Sequence, residues 1–418
     1  MHDPNENRPE YKKTKVGWIP EEWVIHKLKE VCYIDPDTLP ESTKSDLELL
    51  YIDISCIKSG RFCEKPVPVL FGSAPSRARR LFAKGDVIMS TVRPNLKGFI
   101  YIDFNPKNHV CSTGYSVLRP RSGTLGLYLF YSLFSEVSSK YFHCRTVGTG
   151  YPALNSSDVN QLSVLLPTLP EQHKIACILS IWDNALDRLH KLIKAKKLQK
   201  KGLMQQLLSG EKRLPGFEGE WVIRKYKDLF KKVERPIPLQ KDSNYRLASI
   251  RRNAGGFFDR GSARPDEISY TELNILHEND FVISKRQVTH GAMAVVPEFF
   301  KDSYVSNEYT IFVRKNEGDL SMNFFQWMTQ TKYLWHQAYV SSNGVHIEKL
   351  IFDPKHFLRQ QIEIPIDTQE QTAIANVLDT ADREIKNLEA KLAALETQKK
   401  GLMQRLLTGQ IRVQVDAA

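Results

Sequence analysis

The stretch QKKGLMQQLLSG at residues 199–210 returns as QKKGLMQRLLTG at residues 398–409, with two substitutions in twelve positions. Working outward, Glu171 to Gly210 aligns without a gap on Glu370 to Gly409 at a constant offset of 199, and eighteen of the 40 positions are identical. Self-similarity at a long fixed offset marks a duplicated structural unit. The repeat continues more weakly through GWIPEEWVIHKLKEV (17–31) and GFEGEWVIRKYKDL (216–229). At an offset of 194, KGDVIMS (84–90) meets ENDFVIS (278–284), Ser112 and Tyr115 meet Ser306 and Tyr309, and Gly150 meets Gly344. The chain is two diverged copies of one unit, each a variable globular part followed by a similar tail.

Each tail reads as one long helix. Alternating steps of four and three from Ile175 give Leu179, Trp182, Leu186, Leu189, Ile193, Lys196, Lys200, Leu203 and Leu207. The second tail gives Ile374, Leu378, Ala381, Ile385, Leu388, Leu392, Leu395, Lys399, Leu402 and Leu406. That spacing is a heptad-type apolar seam on one helix face. Thr168 with Glu171 and Asp367 with Glu370 form capping-box patterns at the starts, and Gly210 and Gly409 stand where a helix C-cap belongs. About 40 residues at 1.5 Å each make a rod of roughly 60 Å. A lone rod with an apolar seam is unstable in water, so the two seams are expected to pack on each other.

Residues 1–168 and 213–367 form the globular parts, and 169–212 and 368–412 the helices. The expected class is α+β, two mixed α/β domains and two long helices in an internal repeat. ELLYIDIS (48–55), DVIMSTV (86–92), YTIFV (309–313) and QQIEIP (360–365) read as strands. YLFYSLFSEVSSKYF (128–142) and SMNFFQWMTQTKYLWHQAY (321–339) read as helices, and VGTGYP (147–152) as a turn.

Composition narrows the function. The 418 residues carry 59 Lys+Arg against 48 Asp+Glu, a net charge of +11 that favours a polyanionic partner. No apolar run is long enough for a membrane span, and the polar start MHDPNENRPEYKK is unlike a signal peptide, so a cytoplasmic protein is expected. The six cysteines contain no CxxC pair and are expected to be reduced, mostly buried thiols.

Catalytic patterns are missing: there is no GxxxxGK[ST] phosphate loop, no Asn-Pro-Pro-aromatic or Asp-Pro-Pro-aromatic loop, and no HExxH. Pro265-Asp266 is followed by Ile283-Ser284-Lys285, which lacks the second acid of a nuclease centre. No catalytic or metal-binding residue is assigned.

Nucleic-acid binding would rest on local clusters, because residues 214–366 carry 21 basic and 19 acidic side chains. In copy one these are SRARR (76–80) and STVRPNLKG (90–98), and in copy two SIRRN (249–253) and SKRQVTHG (284–291). Ser90 and Ser284 are equivalent, so both copies place basic and amide residues after the same strand. Arg can grip guanine and Asn or Gln adenine through paired hydrogen bonds, which makes Arg93, Asn95, Arg286 and Gln287 candidates for base edges. Arg77, Arg79, Arg80, Lys97, Arg251, Arg252 and Lys285 suit phosphate. Lys191, Lys194, Lys197 and Lys201 on the first rod could line DNA or simply face solvent.

Taken together, the chain resembles the specificity subunit of type I restriction-modification systems. The resemblance rests on the variable–helix–variable–helix order, the entries LPEQHKIACILS (169–180) and TQEQTAIANVLD (368–379), the KKGLMQ exits, GWIPEEW, and SRARRLFAKGDVIMSTVRP (76–94). It implies two target-recognition domains, each reading half of a split double-stranded DNA site, and two helices in an antiparallel coiled coil. It also implies two methyltransferase subunits and restriction/translocase subunits as partners. Adenine-N6 methylation and DNA cleavage would belong to them, as would bound S-adenosylmethionine, ATP and Mg, with no cofactor held by this chain.

Overall fold

The computed structural model describes every residue except 1–4, 7, 147–151, 269–271, 345, 347–349 and 416–418. Gly150 and most of the VGTGYP turn therefore lie outside the described residues. Both tails are helices, Leu169–Leu207 and Thr368–Leu407. After each helix, Gly210 and Gly409 take left-handed φ angles of +73° and +71°. A Cβ at Gly409 would stand 2.5 Å from the Pro20 ring, so that position needs glycine for space as well as for conformation.

At the second helix start, Asp367 Oδ1 accepts from the Gln369 N–H at 2.8 Å. The returning half of the expected capping boxes is not made. Glu171, which also accepts from Thr168 Oγ1 at 3.3 Å, and Glu370 form ion pairs with Arg412 and Arg213. For a buried carboxylate, a guanidinium is a stronger partner than one cap N–H.

The chain divides into two compact units, residues 1–190 with 390–418, and residues 191–389. The units do not follow the head-and-helix division expected from the sequence, because compactness cuts both long helices in the middle. Each unit thus contains one head, the start of that head's own helix, and the end of the other helix.

In the first unit, a four-stranded sheet runs Phe99–Tyr101, Val87–Ser90, Tyr115–Pro120, Cys32–Ile34, all antiparallel. A second sheet runs Val67–Leu70, Glu48–Ile52, His109–Ser112, Ala78–Arg80, with its middle pair parallel. The second unit repeats the frame. Its first sheet runs Met293–Val295, Phe281–Ser284, Tyr309–Arg314, Phe230–Val233. Its second runs Phe257–Ala263, Tyr245–Ile250, Tyr304–Ser306, Leu273–Ile275, Pro236–Ile237, again with one parallel pair, Leu247 beside Tyr304. A two-stranded ribbon leads into each helix, Val24–Lys27 with Ser163–Leu166 and Trp221–Lys225 with Gln361–Pro365.

The segments 128–142 and 321–339, read as single helices, are each two. They divide as Gly126–Ser132 and Glu136–Arg145, and as Met322–Met328 and Lys332–Val340. The break is local capping: Ser135 and Thr331 accept from Ser138 N–H and Leu334 N–H, both at 3.2 Å, and start a new helix. All six cysteines are free. Cys32, Cys56 and Cys111 are buried, whereas Cys63, Cys144 and Cys177 are exposed, so only half match the expected burial.

The seam residues divide their work. Ile175 and Leu179 are buried with Trp23, Met403, Leu406 and Leu407 in the first unit's core. Ile374 and Leu378 are buried with Leu207, Tyr226 and Phe325 in the second. Leu186, Leu189 and Ile385 are buried on the helices, and Trp182, Leu388 and Leu392 are half-buried. Each helix start is therefore a core element of its own head as well as a partner of the other helix's end.

Within each unit the paired helix segments are antiparallel. In the first, Asp183 meets Lys399 at 2.6 Å and His190 lies 3.9 Å from Glu396. In the second, Lys196 meets Glu384 at 2.8 Å, Lys197 meets Glu389 at 2.6 Å, and Lys200 pairs with Asp382. Seam lysines Lys196 and Lys200 thus spend their charge on the partner helix. Lys197, a candidate DNA contact, is held by Glu389.

The offset of 199 carries contacts as well as residues. Asp183–Lys399 becomes Asp382–Lys200, and each lysine also stands over an aromatic ring, Tyr131 at 5.7 Å and Trp327 at 4.8 Å. Arg412–Glu171 at 2.8 Å becomes Arg213–Glu370 at 2.6 Å.

Candidate nucleic-acid interface

The equivalent strands Val87–Ser90 and Phe281–Ser284 end in loops fixed at the same two backbone points. Ser90 N–H donates to Gly98 O at 2.9 Å, as Ser284 N–H does to Ala292 O at 3.0 Å. Thr91 N–H donates to Gly114 O and Lys285 N–H to Glu308 O, both at 2.9 Å. A short 3-10 turn follows in each, Pro94–Leu96 and Val288–His290. The frame is backbone-held, so its side chains are free to differ.

In the first head, the Arg93 N–H donates to Pro152 O at 2.7 Å, and Arg93 and Lys97 take left-handed φ angles of +49° and +56°. Arg93 and Asn95 are exposed, and Lys97 is half-buried with its ammonium 5.9 Å from the Phe134 ring centre. The SRARR cluster is brought beside this loop, because Thr113, one residue before Gly114, donates its N–H to Arg77 O at 2.8 Å.

The three arginines of SRARR have different fates. Arg77 is exposed, 3.8 Å from Asp53. Arg79 stacks 4.6 Å over Phe71 and donates to Ser76 O. Arg80, expected to suit phosphate, is instead engaged within the protein. It points inward to Asp35 at 2.5 Å and to Ser116 at 3.3 Å. Burial holds the Asp35 carboxyl above the usual range despite this cation and a hydrogen bond from Val117 N–H.

In the second head the structure joins the two clusters. Asn253 N–H donates to His290 O at 2.7 Å and Ala254 N–H to Gly291 O at 3.2 Å. Arg251 and Arg252 are exposed, Arg251 lying 4.6 Å over Phe258. Arg286 is exposed, but its guanidinium grips Glu308 through two bonds of 2.7 and 3.4 Å, which raise it above its ordinary value. It would have to leave Glu308 to read a base. Lys285 is half-buried with Nζ on Asn307 O at 2.5 Å. Gln287 is half-buried, and its Oε1 is buried with no hydrogen-bond partner. Of this head's two base-edge candidates, Arg286 is thus already engaged by an acid.

The strand pair behind Arg251 and Arg252 escaped the sequence reading. The hairpin of Tyr245–Ile250 and Phe257–Ala263, with Arg264 after it, carries five arginines (246, 251, 252, 260, 264) and one acid, Asp259. The rest of residues 214–366 then holds 16 basic and 18 acidic side chains. The head's whole positive excess sits on this hairpin. Arg246 is engaged by Asp259 at 2.8 Å and by the Phe299 ring, and Arg260 and Arg264 are exposed. The turn RRNAGG between two β-rich runs is the pattern that could have revealed it.

Three comparisons with known proteins bear on this arrangement. A family model described as the type I restriction modification DNA specificity domain matches residues 20–199 and again 218–397. The chain belongs to the type I restriction-modification DNA specificity family. It is 25% identical over 429 residues to the putative type I restriction enzyme MjaX specificity subunit of Methanocaldococcus jannaschii, covering 96% of this chain and 97% of that protein. It is 26% identical over 198 residues to the MjaIX specificity subunit of the same organism, 44% of this chain and 43% of that relative. The solved HsdS subunit from Thermoanaerobacter tengcongensis shares the fold, with a TM-score of 0.51, 21% identity, and coverage of 94% of this chain and 98% of that one.

The chain is a DNA specificity subunit of this family. Among the described residues of this specificity subunit, no three His, Cys, Asp or Glu side chains gather as a metal site, and no helix is long and apolar enough to cross a membrane.

Proposed function

We propose that this specificity subunit reads a bipartite, asymmetric site in double-stranded DNA, one half per head. It recruits two methyltransferase subunits and restriction/translocase subunits into a cytoplasmic complex. Those partners supply the chemistry, deoxyribonuclease cleavage and adenine-N6 methylation, and bind S-adenosylmethionine, ATP and Mg. The observation that carries the reading is the loop frame made twice with the same two backbone bonds and different side chains. Equal frames suit equal faces of a duplex, and unequal side chains suit unequal half-sites.

The reading set proposed for the first head is Arg93 and Asn95, with Arg77 on phosphate. For the second it is the arginine hairpin, because a two-stranded ribbon fits the major groove and this one carries the head's charge.

The test is methylome sequencing of a host carrying the complete system, with and without this gene. A split adenine-methylated motif that vanishes with the gene is expected. Replacing residues 1–168 by the equivalent part of a relative should change one half of that motif only. A change in both halves, or no motif, overturns the proposal.

A further inference from the structure

The apolar seam is duplicated, so by itself it lets any helix of this chain pair with any other, including a like helix from a second copy. The flanking charges do not repeat so evenly. Position 190 is equivalent to 389, and 197 to 396, at the offset of 199. The first helix places His190 and Lys197 there, and the second Glu389 and Glu396. Within the two units His190 faces Glu396 and Lys197 faces Glu389. A third pair, Lys196–Glu384, has Leu395 and Ala185 at the equivalent positions.

We propose that these charges make the two helices select each other and reject pairing between like helices of two copies. In the same antiparallel register, two first helices would set His190 against Lys197 twice, which attracts in neither protonation state of the histidine. Two second helices would set Glu389 against Glu396 twice, a like-charge clash. Both like pairings also lose Lys196–Glu384. The pairs Asp183–Lys399 and Lys200–Asp382 do not discriminate, since every combination keeps them. The seam therefore supplies stability, and positions 190, 197, 389 and 396 supply the choice of partner. This use of charges beside an apolar seam is the general logic of coiled-coil partner selection. It holds whatever the heads read.

The test uses the full-length chain and three variants, Lys197→Glu, Glu389→Lys and the double reversal. Self-association is measured by sedimentation across concentration and salt, and the thermal midpoint alongside it. Lys197→Glu makes the first helix self-complementary, and Glu389→Lys does so for the second, while each sets like charges at one intrachain pair. The double reversal restores the 197–389 pair, with His190–Glu396 untouched throughout, yet leaves both helices self-complementary. All three variants are expected to raise the self-association constant by at least about tenfold at low salt, through several exposed ion pairs of modest strength. The gain should disappear near ~0.5 M salt. The double reversal should keep the parent midpoint while self-associating. A double reversal as monodisperse as the parent overturns the proposal, as does association that salt does not weaken.

Discussion

Arg412 and Glu171 are 241 residues apart, and their contact asks whether the end of the second helix holds the first head together. Glu171 is 2% exposed and receives Arg412 Nε at 2.9 Å and Trp23 Nε1 at 3.2 Å. Arg412 is a third exposed and also reaches Glu22 at 2.8 Å. Removing one partner of a buried pair costs about 3–5 kcal/mol, because the remaining charge is stranded. The partial exposure of Arg412 lets water reach the site, so the low end, about 3 kcal/mol, is expected for Arg412→Ala. Glu171→Gln keeps an acceptor for Trp23 and removes the charge, at about 1 kcal/mol, the scale of one hydrogen bond. The double variant then has no stranded charge and should cost about 1–2 kcal/mol, less than Arg412→Ala alone. Urea unfolding followed by tryptophan fluorescence gives the three values and a coupling energy of about 2 kcal/mol. Additive losses, or an Arg412→Ala protein within about 0.5 kcal/mol of the parent, would refute the claim that this ion pair fastens the first unit.

Leu179→Ala, at a fully buried seam position, should lose about 2–5 kcal/mol in the same assay, against well under 1 kcal/mol for the exposed Leu198→Ala. Arg251→Ala with Arg252→Ala should lower the salt slope of duplex binding by the assembled complex by about 2 and weaken the second half-site only, read by titration at several salt concentrations. Arg80→Ala should destabilise the first unit by about 2 kcal/mol and leave base preference unchanged, the pattern of an internal ion pair. Burial pushes the Cys32 thiol up from an ordinary 9.0 to about 12, so the folded chain keeps a proton that the unfolded chain releases. That contribution is complete below pH 9 and fades as pH rises toward 12. Cys32→Ala should therefore show a shallower alkaline loss of stability in urea midpoints, and a slope equal to the parent's would count against it.

The helices, the doubled heads and the strands at 87–90 and 281–284 were legible because they follow from local periodicity and from the repeat. Partner choice across the fold was not. SRARR reads as three equivalent arginines, yet Arg80 is claimed by Asp35, 45 positions earlier, and Arg77 stays outside. Arg286 had the right residue type after the right strand. Its neutralising Glu308 comes from a turn whose equivalent in the first head is Gly114, so the repeat offered no warning. The capping-box carboxylates misled in the same way. Spacing places Glu171 and Glu370 correctly at the third helical position, but their partners Arg412 and Arg213 follow the ends of the helices and carry no local mark.

These misses share a cause that bears on how such a chain diverges. The pins at Ser90, Thr91, Ser284 and Lys285 are bonds between backbone groups, so they survive almost any change of side chain in the loops they hold. The buried ion pairs at Glu171 and Glu370 join the heads to the repeated helices and tolerate little change. A head can therefore alter exposed loop residues such as Asn95 or Arg252 without breaking these bonds, as surface changes away from such anchors shift stability by less than about 0.5 kcal/mol. The same separation makes recognition hard to read in one sequence, because the chain alone records the backbone frame and not what its loops meet.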